Sequence, residues 1–366
     1  MRVFSGGRVP IRVWARHLDD AALQQLRALA DQPWVHEAVC AMPDVHVSHG
    51  VSVGTVFATR DVVVPSALGG DLGCGIAAAC VPGAAAGVDL RAVLDRLAEV
   101  VPVGDAVHRS RELAPRARRL DPLPEHLAEA PLSTRALART RDAIGARHLG
   151  TLGGGNHFLE LDRDVDGDLW ILVHSGSRGI GAAIAEHHRR VGEVLAIDRD
   201  EGRLYLRDLE LALAFAAENR RRLLRAALDV LGAAGEAIVD VHHNHVARDG
   251  ERLVHRKGAI AAPAGARAII PGSMATASYV VEGRGEPLSF ASASHGAGRV
   301  MTRTQARRTL RRDAVDRALR RVVWRAESDV REEAPQVYRD IGEVLEDQAD
   351  LVTPLLRLEP LAVLKG

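Results

Sequence analysis

Five residues of metal-binding type stand beside glycine- or asparagine-containing turns in this chain: Asp71, Cys74, His157, His174 and His243. Asp71 and Cys74 lie three apart in Gly69-Gly70-Asp71-Leu72-Gly73-Cys74-Gly75, between two apolar runs. Glycine lets the backbone curl without Cβ clashes, so both side chains can point at one ion. A thiolate next to a carboxylate suits Zn²⁺ or Mn²⁺. Taken alone, the pair would equally fit a buried cysteine beside a turn aspartate. Three histidines tip the balance. His157 follows a triple-glycine turn, His174 closes the apolar run 169–173, and His243 closes the run 237–241. Histidines placed where strands feed turns are the pattern of ligands converging at one sheet edge. Five ligands exceed one tetrahedral set and a thiolate can bridge, so two ions are expected, of the kind that clamp phosphoryl oxygens. His242 and His245 flank His243 as weaker candidates.

Glycine-rich turns at 152–156, at Pro271-Gly272-Ser273-Met274 and at Ser294-His295-Gly296-Ala297-Gly298-Arg299 can present backbone N–H groups to phosphates. None is a P-loop, because Gly-Lys-Ser/Thr does not occur. The pattern puts His295 inside such a cradle with Arg299 one helical turn on. An imidazole there is placed to attack phosphorus and form a phosphoramidate, although a structural turn histidine fits the local sequence as well. Two look-alikes fail. Asp162-Arg163-Asp164-Val165-Asp166-Gly167 opens like a calcium loop, but its twelfth position is Val173, where a bidentate Glu belongs. It reads instead as a hairpin turn. Ser175-Gly176-Ser177-Arg178-Gly179-Ile180-Gly181 imitates a dinucleotide turn, yet no tyrosine is followed four residues on by the lysine that short-chain dehydrogenases need.

The elements that must position these residues are legible as periodicity. Apolar runs at 57–64, 76–80, 169–173, 236–241, 268–271 and 277–282 read as buried strands. Helical patterns cover 19–31, 87–100, 133–147 and 207–233. Residues 302–347 read as two further helices, one rich in arginine and one acidic, whose solvated faces salt-bridge each other, with a phosphate-backbone role for the arginine helix as the alternative. Residues 103–131, rich in Pro, Arg and Glu, read as a peripheral helical excursion. No repeat or flexible linker appears, so 1–366 is expected to form one α/β (α+β) unit with central sheets and surrounding helices. Composition narrows the partners. Lys+Arg and Asp+Glu are both 48, so no global field draws the chain to nucleic acid or membrane, and an anionic substrate needs a local patch. Three cysteines without a CxxC exclude a disulfide framework and suit a reducing compartment. The first residues lack a signal-peptide core, no apolar stretch is long enough to span a bilayer, and a cytoplasmic location is expected. Only Lys257 and Lys365 are lysines, a bias that codon usage explains for the most part, although arginine cannot replace lysine where a compact point charge or a deprotonatable amine is needed.

Taken in order, these segments resemble the RtcB family of GTP-dependent RNA ligases. The likeness runs through Met42-Pro43-Asp44-Val45-His46, Gly70 to Gly75, Gly153 to Glu160 and Val173-His174-Ser175-Gly176-Ser177-Arg178-Gly179. It continues through His243-Asn244, His255-Arg256-Lys257-Gly258, Ile270 to Tyr279, Ser294 to Met301 and Lys365-Gly366. The resemblance implies joining of a 2′,3′-cyclic phosphate or 3′-phosphate RNA end to a 5′-hydroxyl end, in RNA repair or tRNA splicing. Its cofactors would be GTP and two Mn²⁺ ions. His295 would carry GMP, Asp44 would help activate the 5′-hydroxyl, and Asp71, Cys74, His157, His174 and His243 would hold the ions. Implied guanylate contacts are Asn156, His157, Phe158, Leu159, Glu160, His243, Asn244, Pro271, Gly272, Ser273, Met274, Ser278, His295, Gly296, Ala297, Gly298 and Lys365. An accessory activator protein is a further candidate partner, and no membrane is involved. A lysine nucleophile is the mechanistic rival, but Lys257 is followed by Gly-Ala-Ile rather than the KxDG of that superfamily. The loop after His46 departs from the family pattern, reading Val-Ser-His-Gly-Val-Ser-Val-Gly where Pro-Gly-Tyr-Gly-Phe-Pro-Ile-Gly is common. That departure leaves two other readings: a paralogue that guanylylates 3′-phosphate ends of RNA or DNA without efficient sealing, and a non-catalytic RNA-end-binding protein.

Overall fold

The computed structural model describes residues 1–109, 121–235, 237–326 and 329–366. Two large sheets of mainly antiparallel strands carry the architecture, with helices packed on their faces. The six-stranded sheet runs in the order Arg2–Phe4, Ile11–Val13, His36–His46, Val53–Thr59, Arg252–Lys257, Asn244–Asp249. The larger sheet runs Ala237–His242, Gly75–Val81, Leu169–Ser175, Phe158–Arg163, Val352–Lys365, Ser278–Gly283, Arg267–Ile270, and Val323–Ala326 pairs parallel to Val352–Lys365.

The helix Asp20–Ala30 starts where Asp19 accepts from the Ala22 N–H, and it buries Ala22, Leu26, Leu29 and Ala30 against the smaller sheet. Arg135–His148 is capped by Thr134 in the same way. The long helix Asp200–Leu231, about 48 Å by its 1.5 Å rise per residue, has Asp200 and Glu201 in its first turn and stops at Gly232 in the left-handed region. Its wholly buried Leu223 and Ala227 pack with Val173 and Leu159 of the larger sheet in one apolar cluster. Each buried Leu there contributes roughly 1.5–3 kcal/mol relative to exposure.

Three expectations need correction. The run 57–64 is two strands, Val53–Thr59 and Val62–Val63, parted by the turn at Arg60 and Asp61. Among the described residues, 302–347 form three short α-helices, Arg303–Thr309, Arg312–Ala318 and Ile341–Asp347, with the strand Val323–Ala326 and two 3-10 turns between the second and third. The capping box of Thr302 and Gln305 starts the first helix, and β-branched Val322 and Val323 favour the strand over helix. The arginine-to-acid pairing does form, but with a short turn as partner: Arg299, Arg303 and Arg307 pair with Glu332 and Glu333. Strands at His36–His46 and Val352–Lys365 lie outside the apolar runs read from sequence. They contain Pro43, Pro354 and Pro360; the register shifts between Pro360 and Ala362, and again where Pro354 meets Val281. Of the excursion expected at 103–131, residues 110–120 lie outside the described residues, and the described part contains one helical turn, Glu125–Ala128. The Asp166-Gly167 hairpin joins Phe158–Arg163 to Leu169–Ser175, and Asp164 caps it by accepting from the N–H groups of Asp166 and Asp168. No helix among the described residues is long and apolar enough to cross a membrane.

Candidate active site

The metal-type residues meet where strands of both sheets end. Short helix Pro65–Leu68 leads into the glycine turn, in which Gly73 takes φ +72° and the Cys74 N–H reaches back to the Asp71 carbonyl. The turn is strapped to the segment beyond the strand Ala237–His242: His243 N–H donates to Cys74 O at 2.8 Å, and Gly73 N–H to Asn244 O at 2.9 Å. His157 precedes the strand Phe158–Arg163, whose Phe158 faces His174 across the ladder. The side chains converge. Cys74 Sγ is 3.2 Å from His174 Nε2 and 3.4 Å from His157 Nε2. His174 Nε2 is 2.9 Å from His243 Nε2, and Asp71 Oδ2 is 3.1 Å from His157 Nε2.

These contacts fit a cation and not a neutral hydrogen-bond network. His157 Nδ1 faces the Leu152 carbonyl at 2.9 Å and His174 Nδ1 the Asn156 carbonyl at 3.1 Å. A carbonyl only accepts, so each Nδ1 carries the proton and each Nε2 turns a lone pair inward. Lone pairs therefore face one another with a thiol and a carboxylate, which a metal ion would satisfy. Burial, with neighbouring imidazoles adding, pushes His174 and His243 well below the ordinary histidine range and keeps them neutral, as ligation requires.

A second shell fixes the ligands. Wholly buried Arg220, on the long helix, donates to the carbonyls of Gly73 and Ser175 at 2.9 and 3.0 Å and pairs with Asp240 at 2.6 Å. It thereby ties the residues next to Cys74 and His174 to one guanidinium. Asn219 beside it donates to Thr151 O and Ser175 Oγ, and accepts from the N–H groups of Gly150 and Thr151. Both lie inside a helical pattern, where an arginine and an asparagine read as surface residues; the one signal is the apolar set Phe215, Ala216, Leu223 and Leu224 one helical turn to either side. Arg220→Lys keeps the charge but loses the planar fork. It is expected to weaken divalent-metal binding by about 10- to 100-fold in calorimetric titration, and an unchanged affinity would remove Arg220 from this role. His242 and His245 are not in the cluster: His242 Nδ1 is committed to Gly73 O and Arg220.

His295 follows the strand Ser292–Ser294, and its imidazole lies 4.5 Å from that of His243, centroid to centroid. Its Nδ1 is 2.6 Å from Asp44 Oδ2, which also accepts from the His295 backbone N–H at 3.2 Å. Asp44 is fully buried, so its Oδ2 is satisfied by these two N–H donors rather than by water. With Nδ1 protonated, Nε2 is the nucleophilic nitrogen. Gly298, at φ +74°, lies so close to the Asp44 backbone that a Cβ would come within 2.5 Å of its carbonyl oxygen. Only glycine lets the His295 turn pass there. His46, quoted from sequence only as part of a motif, donates from Nδ1 to Asp44 O at 2.8 Å and borders the same space.

Beside His295 opens a cleft of about 200 Å³. It is lined by Asn156, Phe158 and Glu160; by Pro271, Gly272, Ser273, Met274 and Ser278; by His295, Gly296, Ala297 and Gly298; and by Lys365. The structure thus brings together most residues expected to contact a guanylate. Four do not line it: His157 and His243 belong to the metal-type cluster, and two others lie apart. Leu159 is wholly buried in the apolar cluster beneath the sheet, because alternate residues of a strand face opposite ways. Asn244 donates to the carbonyls of Leu68 and Asp71 and so braces the metal turn. Arg299 is on no helix with His295: its guanidinium is held by Glu333 and Glu332 O. Arg303 and Glu333 are cleft residues that sequence reasoning passed over; Glu333 pairs with Lys365 Nζ at 3.2 Å.

Comparison with known proteins accords with this geometry. A family model described as tRNA-splicing ligase RtcB matches residues 25–366. RNA-splicing ligases RtcB1 and RtcB2 of one Escherichia coli strain are 34% and 30% identical; the alignments cover 98% and 95% of this chain and 97% and 93% of those proteins. RNA-splicing ligase RtcB of Escherichia coli K12 is 33% identical over 98% of this chain and 97% of its own length.

Proposed function

The chain belongs to the RtcB family, and on that premise we propose that it is a GTP- and Mn²⁺-dependent RNA ligase working through a histidine–GMP intermediate. It would seal 2′,3′-cyclic phosphate or 3′-phosphate ends to 5′-hydroxyl ends in RNA repair or tRNA splicing, with residues 1–366 acting as one catalytic unit. The observation that carries the reading is His295, held at Nδ1 by a buried carboxylate, with its ring against the metal-type cluster and its face on the cleft.

Divalent ions held by Asp71, Cys74, His157, His174 and His243 would neutralise charge on the reacting phosphates. The chain's own residues do the rest. His295 Nε2 bonds to the α-phosphorus of GTP as the bond to pyrophosphate breaks, and Asp44 stabilises the charge that develops on the imidazole. An oxygen of the RNA 3′-phosphate then takes the guanylyl group, returning the bonding pair to Nε2. The 5′-hydroxyl finally attacks the activated 3′-phosphate, and GMP leaves. Lys365 and Arg303 supply positive charge to the cleft, while Glu160 and Ser278 offer polar groups to a base edge.

The test combines Mn²⁺, α-labelled GTP, an RNA with a 3′-phosphate and an RNA with a 5′-hydroxyl. Expected are a labelled protein adduct, absent in His295→Ala, and sealed RNA. A guanylylated 3′ end that persists unsealed would replace the ligase reading with the end-capping one. A wild type that never takes label would leave only RNA-end binding.

A further inference from the structure

The strand Phe158–Arg163 carries two carboxyls on one face, two residues apart. Glu160 borders the cleft. Asp162 lies behind it with no exposed surface, opposite Trp170 on one neighbouring strand and Pro360 on the other. Neither Asp162 oxygen has a hydrogen-bond partner among the described residues while both carboxyls are ionised. The Trp170 indole N–H cannot serve, since it donates to Asp164 at 2.8 Å.

A buried carboxylate with no donor is costly unless a proton is shared with it. The polar group within hydrogen-bond reach is the Glu160 carboxyl. Burial and then Asp162 itself drive Glu160 well above the ordinary glutamate range, and burial lifts Asp162 to about 7. Around the pair, Lys365 on the strand Val352–Lys365 and Ser278 on Ser278–Gly283 face Glu160. Behind Lys365 stand Glu333 and Arg303, while His174 on the next strand is turned to Cys74 and His243. Lys365 is largely committed to Glu333. Two carboxyls in dry surroundings therefore hold one proton between them near neutral pH, in the manner of other close acid pairs.

We propose that Asp162 is a positioning residue that selects guanine over adenine by taking up the Glu160 proton when a purine nucleotide enters the cleft. The inference rests on the guanylate reading above. The proton passes from the Glu160 carboxyl to the Asp162 carboxylate, none is exchanged with solvent, and the pair keeps a single negative charge. Glu160 then meets the guanine edge, which offers N1–H and an exocyclic amine, as a pure acceptor. Adenine presents an acceptor at N1 and a donor at its amine, which suits a carboxyl that has kept its proton. An Asp162 able to accept that proton thus favours guanine.

Asp162→Leu and Asp162→Asn separate this from packing. In Asp162→Leu, Glu160 has nowhere internal to send its proton. GTP binding should release about one proton to solvent, read from calorimetric heats in buffers of different ionisation enthalpy, and should weaken roughly tenfold per unit fall in pH. The preference for GTP over ATP should shrink accordingly. In Asp162→Asn the amide donates to an ionised Glu160, so guanine preference should return with no proton release. Wild type should release none. Infrared spectra of the nucleotide-free protein should show one protonated carboxyl at neutral pH, lost in Asp162→Asn. If Asp162→Leu keeps wild-type selectivity and pH profile, or Asp162→Asn behaves like Asp162→Leu, the proposal is overturned. A wild type that binds no purine nucleotide, yet shows the infrared band, would refute the guanylate reading and the selection with it, leaving only the shared proton.

Discussion

Asp44→Asn is expected to slow guanylylation of His295 by about 10³- to 10⁴-fold, the scale on which losing a buried carboxylate behind a catalytic imidazole acts. The side chain's Oδ2 serves two donors at once, His295 Nδ1 at 2.6 Å and the His295 backbone N–H at 3.2 Å. An asparagine that kept its oxygen on both donors would place its amide at the Oδ1 position, where no hydrogen-bond partner stands among the described residues. With the amide turned to His295, Nδ1 becomes the lone-pair nitrogen and the proton moves to Nε2, the atom that must attack. Substitution also removes the negative charge that stabilises the imidazole during transfer. The measurement is single-turnover incorporation of label from α-labelled GTP, with thermal unfolding recorded alongside. A rate within tenfold of wild type, in a variant that unfolds at the wild-type temperature, would show that Asp44 does not act through His295.

Cys74→Ser carries the second large effect. Sulfur at this position sits within 3.4 Å of two imidazole Nε2 atoms, and no other thiol is near them: Cys40 and Cys80 lie elsewhere. Serine places a neutral hydroxyl where an anionic donor is needed, so Mn²⁺ affinity should fall by more than ~100-fold and adduct formation with it. Burial pushes the Cys74 thiol well above its ordinary value, so ligation must expel its proton. The sign follows. In wild type, lower pH favours the protonated thiol and weakens metal binding, by roughly tenfold per unit while the thiol is the titrating group. The serine variant binds metal without losing a thiol proton, so its slope should be shallower by about one proton. Equilibrium dialysis with Mn²⁺ from pH 6 upward reads both affinity and slope. Equal slopes in the two proteins would place Cys74 outside the metal shell.

The parts of this site that could be read from sequence are those whose chemistry is advertised by residue type and local turn. Cys74, His157, His174 and His243 each stand at a strand end beside glycine or asparagine, and the fold needs only to bring those ends together. The hairpin at Asp166-Gly167 was legible for the same reason. What stayed hidden depends on distant chain. The Asp44 contact with His295 joins residues 251 apart, and nothing local to either announces the other. Arg220 looks like one charge among several on a helix until the helix is laid across the carbonyls of Gly73 and Ser175. Leu159 was grouped with its neighbours by motif, but strand alternation turns it away from the cleft. Pro43, Pro354 and Pro360 lie in strands where the register is irregular, which no local pattern announces. The helices Arg303–Thr309 and Arg312–Ala318 read as one because arginine recurs across the break between them.

The strand Val352–Lys365 lies between Phe158–Arg163 and Ser278–Gly283, although it follows both in the chain. During synthesis on a ribosome, each of those earlier strands waits with an unpaired edge until the last of the three has emerged. Such edges are templates for pairing with other chains, and long-range closure of this kind is slow. The protein should therefore depend on folding helpers that shield those edges. The cleft should likewise take shape only after this strand has emerged, because Lys365 reaches Glu333 and the Phe158 ring only when it is in place.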